Sequence, residues 1–142
     1  DLRRTRSAMQ NVVPVETALA KGIERFLPEM KGKLMATALR VPVINVSAID
    51  ISIMVSVETS HDDVNKLLQK RARLDTFNML AFIDQPLASS DFIHEIHSSV
   101  IDASQTRVVG GKLIKLLAWF DNEWAYANRM LDVAAHWLAK NN

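Results

Sequence analysis

The sequence predicts an α+β fold, with a largely antiparallel or mixed sheet and helices packed on one face. Three observations carry this expectation. Ile49, Ile51, Ile53, Val55 and Val57 alternate with Asp50, Ser52, Met54 and Ser56, the period of a half-buried strand. Gly110-Gly111 stands between two apolar runs, which marks a tight hairpin. Helical stripes occur near the start, middle and end of the chain, so the order reads helix, two strands, helix, several strands, helix.

Residues 1–14 are polar and basic and close on Pro14, which reads as a loop. From Glu16 to Phe26, Leu19, Ile23 and Phe26 recur at spacings of three and four, and Pro28 and Gly32 end that helix. Leu34–Val41 and Ala48–Val57 are strand patterns, and Pro42 places the first at an edge or an interruption. Ser60, three residues before Asp63, reads as a helix N-cap. Val64, Leu67, Leu68 and Leu74 then form the apolar stripe, with Lys66, Lys70, Arg71 and Arg73 on the wet face. Asn78–Asp84 and Ser98–Asp102 are short strand patterns. Thr106–Val109 and Lys112–Phe120 flank the two glycines; the second is apolar on both faces except at Lys115, as expected of a central strand covered on both sides. A closing helix runs from about Asn122 to Ala139.

A length of 142 residues is about one domain and is enough to bury a core. Apolar content of 49% and charged content of 23% are those of a globular protein. The formal net charge of +1 gives no electrostatic reason to expect nucleic acid or an anionic membrane. No apolar stretch approaches the ~20 residues of a membrane helix, and no secretory pattern is visible, so a cytoplasmic location is expected. Cysteine is absent, which removes disulfides, thiolate metal sites and a cysteine nucleophile from these residues.

Arg40 lies in an otherwise apolar stretch, and a guanidinium buried there needs an anionic partner. An internal ion pair to a carboxylate such as Asp50 is the commoner arrangement; a site for a phosphorylated ligand is the functional one. Arg3, Arg4 and Arg6 could grip phosphate, but a solvated loop is the commoner arrangement for such a charge run. Thr17 heads the first helix pattern, where a hydroxyl caps the helix or faces an anion. His94 and His97, with Glu95 between them, fall short of the three ligands of a metal centre, and no metal is expected. His61 and His136 read as surface residues. Asp121-Asn122-Glu123 is wedged between Trp119 and Trp124; Asp121 or Asn122 would cap the closing helix and Glu123 would favour its positive end. An aromatic floor beside a free carboxamide could also hold a flat, amide-bearing ring.

The stretches NVVPVETALAKGIERFLPEMKGKL, ALRVPVINVSAIDISIMV and WFDNEWAYANRMLD resemble the catalytic domain of the glyceraldehyde-3-phosphate dehydrogenase family. DLRRTR, INVSAID, LLQK and QTRV resemble most closely its branch acting on D-erythrose 4-phosphate. The resemblance implies that residues 1–142 are the C-terminal catalytic domain and that an NAD-binding Rossmann domain lies upstream of Asp1, outside this chain. It implies an oxidoreductase in which a cysteine thiolate, helped by a histidine, attacks the aldehyde, hydride passes to NAD, and phosphate or water releases the acyl group. In the erythrose 4-phosphate branch water does so, giving 4-phosphoerythronate for vitamin B6 cofactor synthesis. It assigns substrate phosphate to Arg40, the attacking-phosphate site to Thr17, and the neighbouring anion loop to Arg4. It assigns the nicotinamide carboxamide to Asn122 and the side of that ring to Tyr126.

Ala18 departs from the family's usual glycine after the threonine, which weakens the second phosphate site and favours hydrolysis. Ala125 departs from a common glycine, a small change. Neither the nucleophilic cysteine nor its histidine has a counterpart here, so the bare chain is expected to be inactive. The resemblance further implies a homo-tetramer of the full-length protein. Glyceraldehyde 3-phosphate is the alternative substrate, and a non-catalytic anion-binding or oligomerisation module is the alternative of a different class.

Overall fold

The computed structural model describes residues 2–140, apart from the side chain of Arg4. The chain forms two compact units, Asp1–Ile44 and Asn45–Asn142.

In the first unit a 3₁₀ turn, Leu2–Thr5, precedes strand β1 (Val13–Val15), helix α1 (Leu19–Phe26), a second 3₁₀ turn (Pro28–Met30) and strand β2 (Ala38–Arg40). β1 and β2 pair antiparallel, with Val13 opposite Arg40 and Val15 opposite Ala38. The loop expected over residues 1–14 therefore holds a 3₁₀ turn and the start of a strand, because Val13 finds a pairing partner remote in sequence. α1 starts later than expected, since the Thr17 hydroxyl accepts from the Leu19 N–H (3.2 Å) and turns the chain before the helix. The strand expected over 34–41 contracts to three residues before Pro42, as an edge strand stopped by proline should. A two-stranded ribbon buries little, and among the described residues of this unit only Val13 is buried.

The second unit is a four-stranded sheet. Its strands β3 (Ser47–Met54), β4 (Leu80–Ile83), β5 (Ser99–Val109) and β6 (Leu113–Phe120) lie in the order β3-β6-β5-β4. β6 pairs antiparallel with both neighbours, while β4 runs parallel to β5, so the sheet is mixed. The α+β expectation holds. Two strand patterns expected separately, 98–102 and 106–109, are one strand: a register shift between Asp102 and Arg107 marks a bulge, which hid its continuity in the sequence. Gly110 (φ 57°) and Gly111 (φ 69°) make the hairpin turn, in the left-handed region that favours glycine.

β6 is central, but only one of its faces is fully covered. Ile114 and Leu116 pack against Val64 and Leu68 of helix α2 (His61–Arg73), together with Ile51 and Val55. On the opposite face Trp119 stacks on Phe92, with ring centroids 5.4 Å apart, beside Val46 and Val100. Phe92 comes from the β4–β5 crossover, which lays it over that end of the sheet. Leu113, Lys115 and Leu117 on this face remain half-buried, and Lys115 pairs with Asp50 across the strands (2.8 Å).

α2 begins as expected, with the Ser60 hydroxyl accepting from the Asp63 N–H (3.2 Å). Leu67 and Leu74 of its expected stripe are exposed. Helix α3 (Trp124–Lys140) buries only Ala125.

Candidate functional site

Two groups of polar residues stand out, one in each unit. In the first, β1 and β2 carry Val13 and Arg40 side by side, and the N-terminal segment adds Arg3 and Arg6. The Arg6 N–H donates to the Arg3 carbonyl (3.2 Å) and the Thr5 hydroxyl to that of Leu2 (2.8 Å), which folds the basic segment into a turn. Together with Val13, Pro14, Val15 and Glu16, the three arginines line a cavity of about 410 Å³.

Arg40 is exposed, not buried as its apolar surroundings implied. Leu39, Val41 and Val43 beside it are exposed too, because a short ribbon has no second layer to cover them. Asp50, the carboxylate suggested as its partner, is taken by Lys115. Arg40 makes no ion pair among the described residues, so its guanidinium is available to an anion in the cavity.

Of the other residues proposed for phosphate, Thr17 does not line this cavity, and its hydroxyl already accepts the Leu19 N–H. The side chain of Arg4 lies outside the described residues. Glu16, which carries no sequence motif, is on the cavity wall in its place.

In the second unit the junction of β6 and α3 is built around Asp121, whose side chain is fully buried. One oxygen, Oδ1, accepts from the backbone N–H groups of Glu123 (3.2 Å) and Trp124 (3.0 Å), capping the helix. The other, Oδ2, accepts from the Asn45 amide (2.9 Å) and the His94 N–H (2.8 Å). Burial by itself would raise this carboxyl. The donors from Trp124, His94, Glu123 and Asn45 outweigh it and hold the carboxyl below its ordinary range.

With Asp121 as the cap, Asn122 is left on the surface. The Ser47 hydroxyl donates to its Oδ1 (3.1 Å), so its NH₂ is the group presented outward, ready to donate to a carbonyl-type acceptor. Val46, between Asn45 and Ser47, is a buried β-branched residue at φ 75°. Both of its neighbours are tied to the Asp121-Asn122 corner, and these ties hold the strained backbone in place. Tyr126, one helical turn beyond Asn122, is exposed.

His94 and His97 diverge. The ring of His94 lies against Trp124 with centroids 4.7 Å apart, while His97 pairs with Glu95 (2.6 Å). Ser47 and Asn45 as supports for this corner were invisible in the sequence, since they lie more than seventy positions away from it. The only signal was Ser47 opening the alternating strand that pairs with β6, opposite Phe120.

No described helix is long and apolar enough to cross a membrane. The family model described as "Glyceraldehyde 3-phosphate dehydrogenase, C-terminal domain" matches residues 1–122, a span that takes in Thr17, Arg40 and Asn122 and stops short of α3. Enzymes of that family are oxidoreductases that generally use NAD. A match over most of the chain, taking in Arg40, Asp121 and Asn122, means that the chain belongs to the glyceraldehyde 3-phosphate dehydrogenase family as its C-terminal domain.

Proposed function

We propose that this chain is the catalytic domain of an NAD-dependent dehydrogenase that oxidises D-erythrose 4-phosphate to 4-phosphoerythronate. The observation that carries the proposal is the cavity in which Arg40, exposed and unpaired among the described residues, stands with Arg3 and Arg6. Guanidinium forks match phosphate geometry, and arginines lining one cavity suit the terminal phosphate of a small sugar. In this reading Arg40 holds the substrate phosphate with Arg4 nearby, and Thr17, which does not line this cavity, belongs to a separate anion site. Ala18, where family members usually have glycine, favours water as the acyl acceptor and hence erythrose 4-phosphate over glyceraldehyde 3-phosphate.

The residues at the β6–α3 junction suit the amide end of NAD. Asn122 offers an oriented NH₂ to the nicotinamide carboxamide, and Tyr126 offers an aromatic face beside it. NAD, when bound, supplies the hydride acceptor; the work of Asp121, Ser47 and Asn122 is to orient its ring. Cysteine is absent from these 142 residues, so the nucleophile and the Rossmann domain belong to a longer polypeptide, and this chain alone is inactive. That longer polypeptide works as a homo-oligomer, a tetramer by family resemblance, in the cytoplasm.

The test is NAD reduction by the full-length protein with each aldehyde. The proposal expects kcat/KM with erythrose 4-phosphate to exceed that with glyceraldehyde 3-phosphate. The reverse preference would shift the assignment to the phosphorylating enzyme, and equal, negligible rates with both would end it.

A further inference from the structure

Helix α3 carries Tyr126 but packs little against its own unit. Its first turn is held by the Asp121 cap, by the ring of His94 against Trp124 and by the buried Ala125. From Met130 to Lys140 every residue is exposed. Between these stretches stands Arg129, whose side chain is only 20% exposed. Its Nη1 donates to the carbonyls of Phe77 (2.6 Å) and Asn78 (2.6 Å), and its Nη2 pairs with Asp132 (2.7 Å). Those two carbonyls are presented by the turn between α2 and β4. There the Asp75 carboxylate accepts from the N–H groups of Phe77, Met79 and Leu80. Asn78, at φ 53°, lies in the left-handed region, and the Ser98 N–H shares its carbonyl (3.3 Å). With its N–H groups gathered on Asp75, the turn leaves the carbonyls of Phe77 and Asn78 to donors outside it.

We infer that Arg129 is a positioning residue for the nicotinamide corner: its grip on the Phe77 and Asn78 carbonyls sets the rotation of α3, and with it the place of Tyr126 beside Asn122. The inference rests on the nicotinamide reading above. A helix fixed at its first turn alone can pivot about its cap, and a bond to the body of the unit one turn further on removes that freedom. Tyr126 and Arg129 stand three positions apart, so they are neighbours on the surface of α3. A guanidinium that bonds two carbonyls at once fixes direction as well as distance, which the point charge of a lysine does not. Asp132 holds the other end of the fork from the same helix, so the linkage runs from the turn through Arg129 into α3. In this role Arg129 touches neither aldehyde nor cofactor; it acts through the helix.

The experiment is steady-state kinetics of the full-length protein with NAD and the better of the two phosphorylated aldehydes. Arg129→Met removes the donors and keeps an unbranched side chain. It should lower kcat about ten-fold through a misplaced ring, as Asn122→Ala does, with KM for the aldehyde within about two-fold of wild type. Arg129→Lys keeps the charge but not the fork; it should fall between the two, and it carries the test if circular dichroism shows the methionine variant unfolded. Asp75→Asn loosens the turn that presents the carbonyls and should also lower kcat. Combined with Arg129→Met it should add little, because both break one linkage. Ser60→Ala, which removes the α2 cap, is the control for general stability and should leave kcat and both KM values at wild type. Wild-type kcat in the folded Arg129 variants would overturn the inference. So would a fully additive double variant, or an equal loss in Ser60→Ala. Wild-type kcat in Asn122→Ala would instead remove the nicotinamide corner itself and the positioning role with it.

Discussion

At the scale of single residues, the side chains with the largest expected effects are those whose partners are fixed. Asp121 satisfies four donors from three segments of chain. Removing a buried carboxylate leaves those donors without it, at about 1–3 kcal/mol for each group left unsatisfied. Asp121→Ala should therefore lower unfolding free energy by about 3 kcal/mol or more, measured by urea denaturation. Because the folded carboxyl is held below its ordinary value, its contribution is full above the unfolded pKa near ~3.9 and is lost as pH falls through the lower folded value. The stability gap between wild type and Asp121→Asn should accordingly narrow in acid; a gap independent of pH down to strongly acid conditions would contradict this account.

Arg40→Leu in the full-length enzyme should raise KM for the phosphorylated aldehyde about ten-fold or more, the loss of a charge-assisted contact. An unchanged KM would remove Arg40 from the site. Asn122→Ala should mainly reduce kcat through a misplaced ring, and wild-type turnover would count against its role. The contrast between Asp121 and Asn122 was partly legible. An acid and an amide at a strand-to-helix seam announce a cap, but which of the two caps was decided by Asn45 and His94, both distant in sequence.

Among the secondary-structure elements, α2 was the most legible. Its cap, length and basic face followed from local pattern, and Val64 and Leu68 meet the sheet as a helical stripe should. Ser60 accepts from the Asp63 N–H and donates to the Asp63 carboxylate (2.7 Å), so Ser60→Ala should cost about 1 kcal/mol of stability by urea denaturation. No measurable change would show the cap to be redundant. β5 was the least legible. A bulge breaks alternation without breaking the strand, and periodicity cannot tell the two apart. β2 shows the opposite error: an apolar run long enough for eight residues of strand yields three, because Pro42 and the absence of a third strand stop the pairing.

Across the whole molecule, exposed apolar side chains are spread along the chain, and on α3 they form a periodic band. Tyr126, Met130, Val133 and Trp137 recur at spacings of four and three, and Leu131 and Leu138 widen the band. A helix apolar over most of its circumference is normally buried against something, and here it buries only Ala125. The chain should therefore self-associate, with a light-scattering mass above the monomer that rises with concentration. A monomer at all concentrations would refute this, and Trp137→Asp should shift the equilibrium toward monomer. Local sequence by itself determined the α+β class, the hairpin at Gly110-Gly111, the α2 cap and the residues on which the family resemblance rests, because helix stripes, strand alternation and turn glycines act over a few neighbouring positions. Only tertiary structure decided that Arg40 faces a cavity rather than an internal acid, that Glu16 stands beside it, and that Ser47 aims the amide of Asn122. Those outcomes depend on which distant strands pair and on which charges claim each other first, as Lys115 claimed Asp50, and no local pattern records that competition.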